Sequence, residues 1–558
     1  MNTFAAGKKK SGMKSSIKTF FTSLLVVIIL PAAVIYALFH YYGKRLEKHV
    51  PVNVKLSREH VSSVDHSQFE ILQQDFESPH DVTDACITCH TGRDNEIMAT
   101  AHWKWEREVE IPGRGAVTIG KKNLINNFCT GATGNNGSCM RCHIGYGWED
   151  KSFDFEDPGN VDCLVCHDQT ETYYKQKGQA GMPATEETAN AYYSVPDYNY
   201  VAQNVGLPRK HNCGICHFYG GGGNNVKHGD LEEALLSCSF EVDVHMASDS
   251  MNMECIDCHR TERHNISGKL YSVSASNTNR VTCEQCHTSS PHMDKIIDEH
   301  TYKVACQTCH IPEYAKVNAT KLWWDWSTAG RLDEMGLPYA EPDADGNHNY
   351  TSIKGNFVWD DHVVPEYYWF NGIADHYLNT DTISEVPVKI IELYGEYNDP
   401  ESKIWPVKVH RGRQIYDTVN NTLVHLKLFA PEQGMGSFWK DFDWDTAAYL
   451  GMKYNDRPYS GKWGFIESEA PWPINHMVSP KDKTLSCIEC HSRDGRLAAL
   501  NDFYLPGRDY SNLVEQGGIG LILLSIVGVV GHGLIRFISC FRKNECIESE
   551  NVNEDGKS

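Results

Sequence analysis

The chain has 558 residues, 20 cysteines, 27 histidines and a formal net charge of −21. Its length allows two or three ordinary domains, but so many cysteines and histidines require cofactors to be counted before apolar packing. The acidic balance argues against nucleic acid, which calls for a basic face, and favours redox partners that carry basic patches.

Residues 1–19 form a basic N-terminus with Lys8, Lys9, Lys10, Lys14 and Lys18. The run that follows, Phe20 to Phe39 (FFTSLLVVIILPAAVIYALF), carries no charge over 20 residues and is long enough to span a bilayer as a helix. A cleaved signal peptide competes with this reading, because the flank is basic and Ala32 and Ala33 lie near the end of the run. The run exceeds the usual apolar stretch of such a peptide, which favours an uncleaved anchor.

The next region, 43–315, is organised by the CxxCH motif. It occurs at Cys86/Cys89/His90, Cys139/Cys142/His143, Cys163/Cys166/His167, Cys213/Cys216/His217, Cys255/Cys258/His259, Cys283/Cys286/His287 and Cys306/Cys309/His310, and again at Cys487/Cys490/His491. The eight motifs use 16 of the 20 cysteines. Two thiols three residues apart each form a thioether to one haem edge, and the adjacent histidine reaches the iron as proximal ligand. Zinc would have to collect four ligands from pairs of motifs and would leave the histidine after every second cysteine unexplained. The expected cofactors are therefore eight haem c groups, whose propionates make the folded protein more acidic still. Haem of this kind is attached outside the cytoplasm in bacteria, which agrees with the charge-derived topology below. A local repeat, His80 and His300 each separated by five residues from the CxxCH that follows, points to duplicated haem-binding units.

Residues 316–481 contain no cysteine and many aromatics, as in Leu322 to Trp326 (LWWDW) and Phe438 to Asp445 (FWKDFDWD). They are expected to cap the haems, with aromatics against porphyrin edges, or to form a partner-docking surface. Asp343, Asp345 and Asn347 make a DxDxN pattern, but Lys354 stands where an EF-hand places its glutamate, so calcium is not expected. Residues 482–516 hold the eighth motif. A second apolar run, 517–539, is followed by Arg542 and Lys543 and a tail, 540–558. The positive-inside rule puts both chain ends in the cytoplasm and the haem region in the periplasm, despite Lys44, Arg45 and Lys48 on the far side of the first run. His532 in the second run is read as a histidine facing a neighbouring helix, with a membrane haem or quinone as the alternative.

Setting aside the motif histidines, His40 and His532 leaves 17 for distal positions, so supply does not force an open iron. The candidates are His102, His211, His245, His264, His292, His300 and His476, with His80 and His228 as substitutes. Most were chosen for nearness to a motif, and His476 for standing 11 residues before Cys487. An iron with two histidines passes electrons, whereas one with a weak distal ligand admits substrate. The strip after the fourth motif, His217 to Asp230 (HFYGGGGNNVKHGD), reads either as a glycine hinge with a solvated lysine or as a loop that brings Lys227 to a haem.

Eight motifs laid out as seven plus one, NNFC at Asn126 to Cys129, HIGYGW after the second motif and GGGGNNVKHGDL after the fourth resemble the octahaem tetrathionate reductases over about Ser78 to His491. The resemblance implies that the haem of His143 is catalytic, with Lys227 as its distal ligand and Cys129 beside the iron. It also implies an aspartate three residues before the lysine, where this sequence has Asn224. Arg141 is expected to help hold an anion. Desolvation would lower the lysine pKa enough for the amine to bind iron. Cys129 and Cys238 are the two spare thiols on the periplasmic side, Cys540 and Cys546 lying beyond the second span; a disulfide between them is the alternative to a free Cys129.

The sequence is thus expected to form a mainly α protein with extensive coil around eight haems, flanked by two transmembrane helices at a bacterial inner membrane. The expected activity is reduction of a small sulfur or nitrogen compound (tetrathionate, nitrite or hydroxylamine) with electrons from a quinol-linked or cytochrome donor. The alternatives are a non-catalytic electron conduit and an octahaem enzyme that oxidises hydroxylamine.

Overall fold

The computed structural model describes residues 64–268 and 279–554, with the side chains of 540–554 excepted, together with Ala33, Tyr36 and Ala37. The N-terminal basic segment and the anchor expected at Phe20 to Phe39 otherwise lie outside the described residues. The chain divides into two compact units, residues 1–484 and 485–558.

In the first unit, each CxxCH sits on about one turn of helix, because residues three apart share a helix face and two thiols must reach one porphyrin edge. Some of these turns are isolated, such as Cys255–Cys258 and Cys306–His310. The first lies at the end of a longer helix, Pro79–Cys89, which starts with proline behind a capping box between Ser78 and Asp81. Such a cap contributes about 1 kcal/mol. The backbone leaves the helix at His90, freeing the imidazole to turn towards an iron.

The expectation of a mainly α chain is corrected by the region between the seventh and eighth motifs. Helix accounts for 28% and strand for 19% of the residues, and a nine-stranded sheet takes up much of 316–481. Its principal strands are β1 (Thr320–Asp325), β2 (Gly355–Asp360), β3 (Glu366–Phe370), β4 (Lys403–Asp417) and β5 (Trp463–Pro473). β5 runs antiparallel to β4 from Val407↔Pro473 to Asp417↔Trp463, β1 lies parallel on the other side of β4, and β2 pairs antiparallel with β1. β3 pairs with the start of β4, Lys403 opposite Phe370.

β4 hides its character because it is buried on both faces. Side chains alternate across a strand, and the face carrying Ile404, Pro406 and Gly412 also carries Lys408, His410 and Gln414, all buried. Polar residues on an inward face erase the apolar alternation that marks a strand. They are present because this face receives the segment Asn126–Phe128 and the end of the glycine strip.

The sheet has its own apolar core, with Trp324, Trp326, Phe357, Phe438 and Trp472 joined by Ile125, Phe128 and Val226. Trp324 and Trp326 stack at 5.2 Å, and Phe438 meets Trp444 at 4.0 Å. The LWWDW and FWKDFDWD aromatics therefore pack largely on one another. The DxDxN segment is a turn in which Asp343 Oδ1 accepts from the backbone N–H groups of Asp345 (3.0 Å) and Asn347 (2.8 Å).

In the second unit, the eighth motif opens the short helix Cys487–Cys490, capped by Ser486 and Glu489. A long helix runs Asn512–Glu554. Its stretch Asn512–Ser539, 28 residues with mean hydropathy 2.2 and nothing buried, is long and apolar enough to cross a membrane, and it is the one such helix among the described residues.

Candidate haem sites and active site

A metal-bound imidazole nitrogen lies about 2 Å from its metal, so two rings on opposite sides of one iron have centroids about 6 Å apart. Among the described residues, five motif histidines face a second imidazole at that spacing. His90 faces His66 at 6.3 Å, His217 faces His102 at 6.2 Å, and His259 faces His476 at 6.3 Å. His287 faces His245 at 6.1 Å and His310 faces His292 at 6.2 Å. Several of these rings also hold Nδ1 on an acceptor, as His259 does on the Ser267 carbonyl (2.8 Å) and His292 on Asp298 (2.9 Å), which leaves Nε2 for the iron. The residues therefore fit haem with two histidine ligands at five sites.

The ring planes fall into two classes: 28°, 26° and 20° for the His90, His259 and His310 pairs, against 69° and 70° for the His217 and His287 pairs. Electron paramagnetic resonance of the oxidised protein should accordingly show two highly anisotropic low-spin signals beside the rhombic signals of near-parallel pairs. Rhombic signals alone would rule out the crossed geometry.

Of the distal candidates, His102, His245, His292 and His476 lie opposite motif histidines. His264 is close enough to depress the His167 pKa by its charge, and its Nδ1 meets Glu96 at 2.9 Å. His80 packs on Tyr146 at 4.9 Å and His211 on Tyr174 at 5.7 Å. Each shares a helix with its own motif. His300 directs Nδ1 to the Ile296 carbonyl of its own helix (2.7 Å), and His228 packs on Trp472 at 5.2 Å. His66 was not among the candidates: it stands 20 residues before Cys86 and reaches His90 only because the chain folds back.

His143 has different surroundings. Its ring is buried among Trp148 (4.9 Å), Trp103 (5.1 Å), Trp105 (5.5 Å) and Phe153 (5.7 Å), and no second imidazole faces it among the described residues. Burial, then Lys175, Lys121 and Lys122, pull its pKa down to about 3. Nε2 meets the Trp103 carbonyl at 2.6 Å and Nδ1 is buried without a partner. Iron ligation by His143 requires that carbonyl contact to give way.

Lys227 is half-buried, with Nζ 4.5 Å from the centre of the Trp472 ring. Burial and then the charge of Lys121 pull its pKa down to about 7, opposed by Cys142 of the second motif. The glycine strip folds over this lysine. A Cβ on Gly220 would meet Lys227 Cδ at 3.3 Å, and Gly221, at φ +82°, would meet Phe128 at 3.1 Å. Both the left-handed backbone and the close approach favour glycine there.

Cys129 is held by its neighbour Asn126, whose Oδ1 accepts from the N–H groups of Phe128 (2.9 Å) and Cys129 (3.0 Å). Burial pushes its thiol pKa up, and Lys354, Lys321 and Lys177 oppose the rise. Cys129 and Cys238 are both free thiols, Cys238 being buried against Phe218, Leu235 and Met477. Arg141 lies between the cysteines of the second motif; burial, then Lys354 and Arg141, lower the Lys177 pKa. Asn224 is turned back on its own strip: Oδ1 accepts from the Glu233 N–H at 3.0 Å, and its side chain bonds the buried Glu232.

The lysines around Cys129 were not legible in the sequence. Lys321, on β1, is buried with its ammonium over Phe357 (3.4 Å) and Trp324 (4.2 Å). Lys354 comes from the turn before β2, and its Nζ would be 3.2 Å from a Cβ on Gly222. Against an overall acidic chain, this cluster is locally basic.

Cysteines of different motifs also meet. Cys86 is hydrogen-bonded to Cys163, Cys142 to Cys216, Cys213 to Cys255 and Cys283 to Cys306, with no disulfide between them. Cys213 lies near Cys166, and Cys258 near Cys286. Cys309, the second haem-attachment residue of the seventh motif, is half-buried. What the chain itself supplies is the turn Cys306–His310, which holds Cys306 and Cys309 three residues apart on one face, as attachment requires. Haems attached at these cysteines would be brought close at their edges, in the order of His90, His167, His217, His259, His287 and His310, with that of His143 branching from that of His217.

Residues 321–494 match the family described as Cytochrome c bacterial, and residues 231–288 match Cytochrome c554 and c-prime. An uncharacterized protein of Archaeoglobus fulgidus is 24% identical over 241 residues, 36% of this chain and 80% of that protein. The crystal structure of an octahaem cytochrome c from Shewanella oneidensis is similar at 43% identity with a TM-score of 0.71, covering 79% of this chain and 97% of that one.

Proposed function

This chain belongs to the octahaem c-type cytochromes, and from that premise we propose that it reduces a small sulfur or nitrogen oxoanion or amine at the haem of His143. The observation that carries the reading is Lys227, packed under the glycine strip, whose pKa desolvation draws to about 7 near Cys142 of the second motif. Haem bound there supplies electrons and one exchangeable coordination position. Near neutral pH the Lys227 amine is poised between a neutral ligand and an ammonium. Once displaced, it takes up a proton and holds an anion by charge. Lys354, Lys177 and Arg141 add positive charge around Cys129, whereas burial pulls the Lys321 pKa well down, so an anionic substrate is favoured over a neutral one.

Tetrathionate is the preferred candidate within that class. It takes two electrons and splits at its central sulfur–sulfur bond into two thiosulfates with no proton consumed. Nitrite and hydroxylamine both require protons on the way to ammonia. Asn224 cannot supply one, and its amide is engaged by Glu232 and Glu233. The C-terminal apolar helix and the N-terminal apolar run fit an inner-membrane anchor with the haem region in the periplasm and a quinol-linked or cytochrome donor.

A pure electron conduit is the second reading, favoured by the five histidine pairs that saturate their irons. Titrating the oxidised protein with cyanide or nitrite separates the two. The reductase should show a spectral change at one haem out of eight and turn over reduced dye with tetrathionate. No change at any haem and no turnover on tetrathionate, nitrite or hydroxylamine would establish the conduit. Oxidation of hydroxylamine with no reductive turnover would reverse the direction.

A further inference from the structure

The imidazoles along the haem row differ in what stands behind them. Proximal His167 and His259 give Nδ1 to backbone carbonyls, of Gly206 and Ser267, both at 2.8 Å. Three distal histidines, on consecutive haems, instead face carboxylates. His292 Nδ1 lies 2.9 Å from Asp298 Oδ1, His476 Nδ1 3.3 Å from Asp230 Oδ2, and His245 Nδ1 3.8 Å from Asp243 Oδ1. Asp230 and Asp243 are also built into the fold. Asp230 Oδ2 accepts from the N–H groups of Asn475 (2.7 Å) and His476 (2.9 Å), and Asp243 Oδ2 from those of Met477 (2.8 Å) and Val478 (3.1 Å). One short segment of the sheet region, Asn475 to Val478, is thereby gripped from both ends by the two carboxylates.

The opposite holds where the row branches. Lys121 stands 4.5 Å over Trp105, whose ring is 5.5 Å from His143. Lys121 acts on both His102 and His217.

Oxidised haem carries one more positive charge than reduced haem. A carboxylate behind a ligand therefore stabilises the oxidised form and lowers the potential, and nearby ammonium groups raise it. We propose that this charge gradient makes the haems of His310, His287 and His259 the low-potential end of the row and those of His217 and His143 the high-potential end, so that electrons run towards His143. The proposal rests on the functional reading only for what lies at the high-potential end, and it makes the direction reductive.

The test is a potentiometric titration of the haem-loaded protein without substrate, followed by electron paramagnetic resonance. The two crossed pairs, of His217 and His287, lie in opposite halves of the gradient, so their highly anisotropic signals should titrate at clearly different potentials. Asp243→Asn should shift the lower of the two upward and leave the other in place. Asp298→Asn, at a partly exposed residue that does not hold Asn475 to Val478, should raise one near-parallel signal and neither crossed one, and it stands in if Asp243→Asn does not fold. Crossed signals that titrate together, or variants that move no potential, would overturn the gradient. That failure is distinct from failure of the reductase reading, which would show as no ligand binding at any haem whatever the potentials.

Discussion

Lys227→Leu is expected to lower kcat/KM for tetrathionate by about 100-fold or more, the scale on which loss of one buried charge-stabilising group is felt. The visible spectrum at pH 8 should gain a high-spin component, because leucine offers the iron no ligand. The pH dependence has a definite sign. With the folded-state pKa lowered to about 7, the amine is neutral and able to bind above that pH and is an ammonium below it. Acidifying the wild-type protein through about pH 7 should therefore release the ligand and raise the high-spin fraction, with iron binding drawing the midpoint lower. The variant should show no such transition. Linkage acts in the same window: between about 7 and the ordinary lysine range the unfolded chain holds a proton that the folded chain lacks, so this residue makes stability rise with pH. Below pH 7 the buried ammonium is a full penalty, and the leucine variant should there be the more heat-stable protein. A variant with wild-type spectrum and rate would remove Lys227 from the site.

Asn127→Ala should destabilise the first unit by about 3 kcal/mol, as expected when several buried polar groups lose a shared partner. The Asn127 amide donates to His410 Nδ1 and to the His410 carbonyl, each at 2.7 Å, and its oxygen accepts from Gln414 Nε2 at 2.7 Å and from Ser468 Oγ. It is 1% exposed, so water cannot replace those contacts. Because Asn127 pins the segment carrying Phe128 and Cys129 to β4 and β5, the variant should also alkylate at Cys129 faster than the wild type in the folded state. Ser468→Ala, which removes one of the bonds, should cost about 1 kcal/mol and leave Cys129 protected. Equal melting temperatures for Asn127→Ala and the wild type would show that the segment is held by other contacts.

How far the site could be read in advance differs from residue to residue. The eight proximal histidines follow from a local pattern, since cysteines three apart and the next histidine are brought together by a single helical turn. His102, His245, His292 and His476 were reached by counting histidines near motifs. The same criterion also selected His80 and His211, whose rings pack on Tyr146 and Tyr174. His66 escaped it altogether. The sheet was missed because β4 is buried on both faces and carries Lys408, His410 and Gln414 inward. Its pattern resembles neither a half-exposed strand nor an apolar one.

The sequence by itself determined the cofactor chemistry, the number of haems and the apolar runs at either end, because each depends on residues adjacent in the chain. Family resemblance, and not spacing, singled out Lys227. Tertiary structure alone decided which histidine stands opposite which, that Asn224 turns towards Glu232 and Glu233, and that Lys321 and Lys354 gather around Cys129 in an acidic protein. Those arrangements join residues up to hundreds of positions apart, and burial in a shared low-dielectric interior, which no local pattern encodes, sets the charge state of each.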